Sequence, residues 1–591
     1  MSGDSFRLVM IKPTHYDDEG YPIQWMTSAI PSNTLAALNG LAEDCRERQV
    51  LGPEVEIRLS TYDETNARVH PPRIVRELQA EGGRALVALV GVQTNQFPRA
   101  LDIARVFREA GIQVAIGGFH VSGCLSMLKE LPADIRQAQE LGISLFAGEA
   151  EERRLDAVLQ DAWAGRLKPL YDWMKDLPTI AGEPIPILPA QHIGRTAGSH
   201  SSFDLGRGCP FQCSFCTIIN VQGRKSRFRT PDDLERIVRE NLAQGIDRFF
   251  ITDDNFARNK NWEAFVDRLI ALRQGEGLDI KFVIQVDTLC HRIPGFIEKC
   301  VRGGIDRVFI GLENINPDNL AAAKKAQNRI VEYREMLQAW KRARAMTYAG
   351  YIIGFPGDSY ESVMKDIEII KEELPLDLLE FFYLTPLPGS EDHKRLLEAG
   401  VWMDPDMNRY DLNHRCCKHP AMSDGEWDRA YRDAWRAYYT PRHKARIMRR
   451  NAAVGRSVGN IMLLMVWFSG CHQIEGVHPL EGGFLRRKHR LDRRSGFPIE
   501  PAWRFYPKYW AGLAWSQLRW LALFAAVLPH YWQIKRDKAR REYTDLALTP
   551  VGAESLESLA MIAKTRGGEA ALAKARRDEA FRAAASRPAA E

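Results

Sequence analysis

The chain of 591 residues is too long for one hydrophobic core, and roughly two to four domains are expected. Hydrophobic residues make up 45% and charged residues 27% of it, which is typical of a globular protein with a sizeable core. The formal net charge of +5 is small for this length and predicts no nucleic-acid partner. The amino terminus shows no basic region followed by an apolar run, so a cytoplasmic location is expected.

Residues 1–165 alternate between apolar, strand-like runs and amphipathic helices. Ala85–Val92 is a continuous apolar run, typical of a central parallel strand, and Phe97–Ala110 has helical spacing. Two later strands end in Gly117-Gly118-Phe119-His120 and in Gly148-Glu149-Ala150-Glu151. This pattern predicts an α/β domain with a Rossmann-like, doubly wound sheet and ligands at the carboxyl ends of its strands. His120 is interpreted as stabilising a turn.

Residues 166–200 are rich in proline and glycine and are predicted to form an irregular linker. Directly after the next strand-like run, three cysteines follow one another as CxxxCxxC: Cys209, Cys213 and Cys216. Three thiolates on a short loop can hold three corners of a four-iron cube and leave one iron open. Their clustering favours a metal over disulfides. Zinc is the alternative, but it would require a fourth ligand at finger-like spacing.

Residues 201–420 contain the cysteine strand and five further strand-like runs, with helices between them. This order predicts a partial (β/α)6 barrel, and such barrels build active sites where their strands end. The predicted strand ends carry polar residues: Asp253, Asp254, Asn255, Gln285, Asp287 and Glu313. Each also has a simpler interpretation, as a helix cap or a solvated strand end. The loop His414–His419, with two cysteines between its histidines, is predicted to cover the substrate cavity rather than bind a metal.

The cysteine motif and these strand ends resemble the radical S-adenosylmethionine (SAM) superfamily over roughly residues 6–440. The resemblance implies a 4Fe-4S cluster on Cys209, Cys213 and Cys216, with SAM on the open iron. Phe215 matches the aromatic residue that precedes the family's last cysteine. Asp253, Asp254 and Asn255 stand where the family binds the SAM amino group. Gln285, Asp287 and Glu313 stand where polar side chains of the family reach the ribose or methionine part of SAM. The segment around Ile352 matches the family's segment that lies along the adenine.

The two glycine motifs of residues 1–165 resemble the cobalamin-binding domain that precedes many radical SAM cores. The resemblance implies that Gly117 and Gly118 let the backbone approach the corrin ring. The Asp-x-His-x-x-Gly motif that supplies a histidine to cobalt in mutase-type domains is missing from the sequence. No residue is therefore identified as a cobalt ligand, and a Rossmann-like domain without cofactor is the alternative.

The resemblance implies reductive cleavage of SAM, removal of a hydrogen atom from an unactivated carbon and cobalamin-dependent methyl transfer to it. A small-molecule substrate and a low-potential electron donor of the flavodoxin or ferredoxin type are expected. One alternative is a radical rearrangement, cyclisation or oxidation without methyl transfer. The other is a non-catalytic iron–sulfur or membrane-associated binding protein.

Residues 421–591 are predicted to be mostly helical, basic and aromatic. Trp427–Arg450 interleaves arginines with aromatic residues, and Trp510–Trp532 is apolar with Arg519 as its only formal charge. Two interpretations stand side by side: a helical cap with the aromatics as core, or an interfacial helix at a membrane surface. The second would suit a hydrophobic, lipid-like substrate and peripheral membrane contact. Residues 565–591 are predicted to be a frayed helix or a disordered tail.

Overall fold

The computed structural model describes residues 4–82, 84–325, 327–552, 559–563 and 566–585. Its strands are β1 (Asp4–Lys12), β2 (Gln24–Ser28), β3 (Val55–Asp63), β4 (Ala85–Leu89), β5 (Gln113–Gly117), β6 (Ser144–Ala147), β7 (Leu170–Asp172), β8 (His200–Phe203), β9 (Gly206–Arg207), β10 (Arg227–Phe228), β11 (Arg248–Ile251), β12 (Lys281–Val286), β13 (Ile305–Glu313), β14 (Met346–Ile353), β15 (Leu378–Tyr383) and β16 (Gly483–Arg487). Its α-helices are α1 (Asn33–Glu47), α2 (Pro71–Ala80), α3 (Phe97–Glu109), α4 (Phe119–Met127), α5 (Ala133–Glu140), α6 (Arg154–Trp163), α7 (Ala190–Ile193), α8 (Ile218–Val221), α9 (Pro231–Ala243), α10 (Trp262–Ile270), α11 (Phe296–Arg302), α12 (Pro317–Ala322), α13 (Tyr333–Arg342), α14 (Tyr360–Glu373), α15 (Glu391–Glu398), α16 (Asp424–Tyr438), α17 (Pro441–Ala453), α18 (Val458–Gly470), α19 (Ala502–Arg536), α20 (Ala560–Ala563) and α21 (Arg566–Ala585).

The first sheet is parallel and has the strand order β3-β1-β4-β5-β6-β7. Its chain order reverses between β1 and β4, which is where doubly wound sheets open a ligand crevice. The sixth strand, β7, falls inside the segment that the sequence predicts as an irregular linker. Only Leu170–Asp172 pair with β6, because prolines on either side of this short run restrict regular pairing.

The second sheet is also parallel, and its strands follow chain order as β8-β11-β12-β13-β14-β15. This is the predicted six-stranded partial barrel, with β8 and β15 at its edges. Two further antiparallel sheets have two strands each. Strands β9 and β10 pair next to the cysteines, and β16 pairs with β2, which ties the carboxyl-terminal region to the first domain.

The carboxyl-terminal region is helical, as predicted, but its helices differ in their exposure. The predicted helix Trp427–Arg450 is two helices, because Thr440 caps α17 and Pro441 occupies its first position. Helix α16 packs on β15, and its aromatic side chains are part of the barrel's core. Helix α19 runs for 35 residues with most of its surface exposed.

The last described helix, α21, lies where the sequence predicts a frayed or disordered tail. Its alanine-rich sequence favours a helix, and Ala571, Leu572 and Ala575 contact the barrel's core. Of the two predicted alternatives, a frayed helix and a disordered tail, the described part is a helix that packs against the core. Residues 565 and 586–591 of the predicted tail lie outside the described residues.

Candidate active site

The cysteine loop begins at β9, at the carboxyl end of the barrel strands. The amide of Cys209 donates to the Gly223 carbonyl at 3.3 Å, and the amide of Cys216 donates to the Cys213 carbonyl at 3.2 Å. Gly208 has a φ of 89°, and a Cβ there would lie 2.4 Å from the Lys225 carbonyl oxygen. Only glycine fits that position. These contacts fold the loop so that its three cysteines lie together on one short segment.

The donor set of this loop fits a cluster that leaves one iron open. Burial raises the pKa of the Cys209 thiol to about 11 and that of Cys216 to about 12, so ligation by thiolates must release protons. Cys213 is buried and accepts a hydrogen bond from Gln327 Nε2 at 3.5 Å. Within the described ranges, no group of three His, Cys, Asp or Glu residues is placed to hold a single metal ion. A cube spreads its ligands over separate irons, so the sulfurs need not converge on one point.

Asp253 and Asp254 follow β11 and bind the start of the cysteine loop. Asp253 Oδ1 accepts from the amides of Leu205 at 2.7 Å and Gly206 at 2.8 Å, and its Oδ2 accepts from Asn259 Nδ2 at 2.8 Å. Asp254 accepts from the Gly208 amide at 2.8 Å. Burial raises the pKa of both carboxyls to about 7. The structure thus gives both aspartates a positioning role on the loop, whereas the sequence placed them at the SAM amino group.

The next polar residues, Asn255, Gln285 and Asp287, lie beside that pair. Asp287 is bound by Arg258 at 2.7 and 2.8 Å and by Asn255 Nδ2 at 3.0 Å. Gln285 Nε2 lies 3.5 Å from the Asp253 carbonyl oxygen. The buried Oδ1 of Asn255 has no hydrogen-bond partner among the described residues. Asp287 is therefore committed to Arg258, while Asn255 keeps an acceptor for a ligand.

Glu313 ends β13 in a left-handed conformation, with a φ of 61°. The pairing of β13 with β14 shifts register next to it, and such strain costs about 1–3 kcal/mol. Its carboxylate pairs with Lys325 Nζ, which lies 5.5 Å from the centre of the Phe215 ring. Burial opposes the lysine's charge, but Glu313 and the neighbouring cysteines raise its pKa. The sequence did not indicate Lys325, because a lysine pair after a helix has no recognisable pattern.

Phe215 and Ile352, which the sequence placed along SAM, lie in one small apolar group. The other members are Ala323, Phe355, Phe382 and Leu384. These side chains line the barrel beside the cysteine loop. The structure thus brings together Phe215, Ile352 and the polar strand ends on one face of the barrel.

A cleft of the first domain opens towards this face. The cleft has a volume of about 180 Å³, and Gly117 and Gly118 line it together with Arg207 of the cysteine loop. A Cβ at Gly118 would lie 2.2 Å from the Val92 nitrogen, so this glycine is required by a close approach of two chain segments. His120 is buried and bonded to Thr94 at 3.3 Å and Asp134 at 2.8 Å, which holds the turn.

The Gly-Glu-x-Glu motif joins the two domains. Arg207 donates to Glu149 and to Glu151, each at 2.6 Å, and to Asp204 at 2.9 Å. Arg227 binds Glu149 as well, at 2.5 Å. Buried charges require such pairing, and removing one partner is costly. The motif therefore fixes the cysteine loop against the cleft. Sequence reasoning missed Arg207, whose partners lie more than 50 positions away in the chain.

The two histidines of the loop His414–His419 contact different parts of the protein. His414 binds Asp411 at 2.8 Å and Asp18 at 3.1 Å, whereas His419 faces the Phe355 carbonyl oxygen at 2.9 Å. Both cysteines between them are buried. The two imidazoles thus serve different contacts.

Comparison with known proteins adds independent support. Residues 204–370 match the radical SAM superfamily. Bacteriochlorophyllide d C-8(2)-methyltransferase of Chlorobaculum tepidum is 27% identical over 351 residues, which is 56% of this chain and 73% of that protein. The matches with three further curated relatives cover 44%, 59% and 50% of their lengths.

Two solved structures share the fold. One is the radical SAM methyltransferase TsrM from Kitasatospora setae with cobalamin and a 4Fe-4S cluster bound, at a TM-score of 0.53 and 14% identity, covering 73% of this chain and 90% of that one. The other is the cobalamin-dependent SAM radical enzyme OxsB, at a TM-score of 0.52 and 12% identity, covering 94% of this chain and 83% of that one. With the cysteine loop and the six-stranded barrel, the match of residues 204–370 confirms the sequence prediction for this part of the chain: it is a radical SAM domain, and the radical SAM family uses a 4Fe-4S cluster and SAM.

Proposed function

We propose that this enzyme is a cobalamin-dependent methyltransferase that transfers a methyl group to an unactivated carbon of a hydrophobic small molecule. The observation that carries the proposal is the junction at Arg207, which holds the cysteine loop against the cleft of the first domain. Two cofactors that must exchange a methyl group and an electron need such a fixed approach. The names of the curated relatives and the cobalamin bound in both structural neighbours support it.

The residues of the barrel face have distinct parts in this proposal. Cys209, Cys213 and Cys216 hold the cluster, and Asp253 and Asp254 orient their loop through its backbone amides. Other groups face SAM: the free Oδ1 of Asn255, the Gln285 amide and the pair Glu313–Lys325 hold its polar part, while Phe215 and Ile352 lie along the adenine. The bound cofactors supply one-electron cleavage of SAM and a transferable methyl group, with a flavodoxin- or ferredoxin-type protein as electron donor.

The mostly apolar walls of the cleft support its role as the corrin site. Its walls come from the first sheet and from α1 and α6, and they are mostly aliphatic: Leu8, Leu86, Leu38, Leu41 and Val158. No histidine is found among its described lining residues, and His120 is turned to Asp134. We therefore propose that cobalamin is held without a protein imidazole on its metal.

Anaerobic reconstitution with iron, sulfide and hydroxocobalamin tests the proposal. We expect the desalted protein to retain a corrin spectrum and, under dithionite, to form both S-adenosylhomocysteine and 5′-deoxyadenosine from SAM. Cys213→Ala should abolish SAM cleavage, whereas Cys290→Ala, a buried cysteine outside the loop, should retain it. Deoxyadenosine without S-adenosylhomocysteine would instead indicate radical chemistry without methyl transfer.

We further propose that α19 lies on a membrane surface. The described residues contain one helix, Ala502–Arg536, that is long and apolar enough to cross a bilayer. An 18-residue stretch of this helix has a mean hydropathy of 1.3, and only 6% of that stretch is buried. One side of it is docked on the protein, since Trp520 Nε1 donates to Glu475 at 2.8 Å and Arg519 binds the Gln473 carbonyl. A helix anchored along one side, with exposed tryptophans on the other and Lys535 and Arg536 at its end, suits the interface better than the bilayer interior.

Sedimentation with vesicles of phosphatidylserine and phosphatidylcholine tests this placement. The holoenzyme should sediment at low salt and less at high salt, because the attraction of basic residues to anionic lipid is screened. Failure to sediment at low salt would reject a membrane contact and leave the proposed methyl transfer untouched.

A further inference from the structure

A second cavity occupies the amino-terminal half of the barrel, away from the cysteines. Its volume is about 450 Å³. Its lining comes from early positions of the strands, including Val283, Tyr348 and Glu380, and from Leu463, Trp467 and Phe468 of α18. The walls are mainly apolar. His200, Arg307 and Tyr348 are partly exposed polar side chains of the lining, and one further polar group is fully buried.

Glu380 is that group. Its side chain is fully buried, and neither carboxyl oxygen has a hydrogen-bond partner among the described residues. The nearest ionisable nitrogen, His478 Nε2, is 3.8 Å away and has no hydrogen-bond partner there either. Burial raises the pKa of Glu380 to about 8 and lowers that of His478 to about 3, so both are neutral at pH 7. A buried polar group without a partner is costly and rare in native proteins.

Aromatic rings separate this cavity from the cluster side. A Cβ at Gly350 would lie 2.9 Å from the Phe382 ring and 3.3 Å from the Phe309 ring, so the two rings fill the middle of the barrel. On its other side Phe382 belongs to the apolar group of Phe215 and Ile352. The cavity is therefore a site distinct from the one assigned to SAM.

The mouth of the cavity lies beside α19. Two of its lining residues, Leu463 and Leu480, are 55% and 44% exposed. Leu463 falls one helical turn from Gly459, where a Cβ would lie 3.7 Å from Tyr531, and one turn from Trp467, whose ring centre is 6.3 Å from that of Trp520. The apolar entrance thus borders the helix with the exposed tryptophans.

We propose that this cavity binds a largely apolar molecule with a single hydroxyl group, which hydrogen-bonds to the carboxyl group of Glu380. A neutral carboxyl group both donates and accepts a hydrogen bond, and so does a hydroxyl. An ammonium group at Glu380 would have to ionise it in apolar surroundings, and a carboxylate at Glu380 would meet its acceptor oxygens. A carboxylate held by Arg307 of the lining would instead bind without depending on Glu380. An alcohol with an aliphatic body matches the walls, the polar anchor and the entrance beside α19.

Binding of 1-dodecanol, dodecane and dodecanoate to the full chain, followed by calorimetry and by the change in intrinsic tryptophan fluorescence that a Trp467→Phe variant loses, tests this site. We expect the alcohol to bind about tenfold tighter than either other probe, the equivalent of one hydrogen bond in a dry site. Glu380→Leu should remove the preference for the alcohol without weakening the binding of dodecane. Glu380→Gln should retain most of that preference. Glu368→Leu, a mostly exposed glutamate of α14, is the matched control and should bind as the wild type does.

Stability supplies the second readout. Because Glu380→Leu removes an unpartnered buried carboxyl, it should raise the unfolding midpoint, whereas loss of a structural contact would lower it. Equal binding of the alcohol and the alkane, preference for dodecanoate, or a destabilised Glu380→Leu that still prefers the alcohol would each overturn the proposal. No SAM, cluster or cobalamin takes part in the measurement, so its outcome is independent of methyl transfer.

Discussion

Helices α16 and α19 are both rich in tryptophan, tyrosine and arginine, yet the protein uses their aromatic side chains in opposite ways. In α16, Trp427, Tyr431 and Trp435 are buried in the barrel's core. In α19, Trp503, Trp510 and Trp515 are 79%, 60% and 63% exposed. The same residue types therefore build a core in one helix and a free apolar surface in the other.

The spacing of the apolar residues explains the difference. In α16 they recur every three or four positions on one face, at Trp427, Ala430, Tyr431, Ala434, Trp435 and Tyr438. That stripe covers the outer side of the edge strand β15, which would otherwise be open. In α19 apolar residues surround the helix, and only Phe505, Val527 and Ile534 are buried. Composition alone left two interpretations open, a helical cap on the barrel and an interfacial helix. Helix α16 packs as the cap, whereas the exposed apolar surface of α19 still suits an interfacial helix.

The largest effect that this comparison predicts is on stability. Trp435→Ala should lower the free energy of unfolding by about 3–5 kcal/mol, because a fully buried indole leaves a cavity against Phe381. Trp510→Ala should change it by no more than about 0.5 kcal/mol. Urea unfolding of both variants measures the contrast. Similar losses would mean that α19 is as much a part of the core as α16.

Long-range contacts set the limit of the sequence analysis. The cysteine loop and the six strands were predictable, because spacing and apolar periodicity are local properties of the chain. The partners of Asp253 were not, since they are backbone amides 47 and 48 positions away that only the folded barrel brings near. The same holds for Arg207 with Glu149 and for Lys325 with Glu313. Arg207 and Lys325 have no motif of their own, so their roles emerged only from the folded structure.

A smaller effect is expected where α19 docks. A Cβ at Gly470 of α18 would lie 2.2 Å from the Trp520 ring, so Gly470→Val should push α19 away at a cost of about 1–3 kcal/mol. Trypsin should then cut at Arg519 or Lys535 severalfold faster, while the barrel stays folded. Gly512→Ala is the control within α19, because open space surrounds that position. If Gly470→Val unfolded the whole chain, α19 would belong to the cooperative core.

The smallest change in stability should accompany the clearest change in membrane binding. Replacing Trp510 and Trp515 by serine removes two exposed rings and should leave the free energy of unfolding within about 1 kcal/mol of the wild type. At low salt the same variant should sediment severalfold less with anionic vesicles, since indole rings anchor helices at the interface. Trp402→Ser is the control, because that tryptophan is 47% exposed but lies outside α19. If all tryptophan variants sedimented like the wild type, the exposed face of α19 would not bind lipid. It would then have to serve a protein partner, and α19 would differ from α16 by binding another protein instead of the barrel.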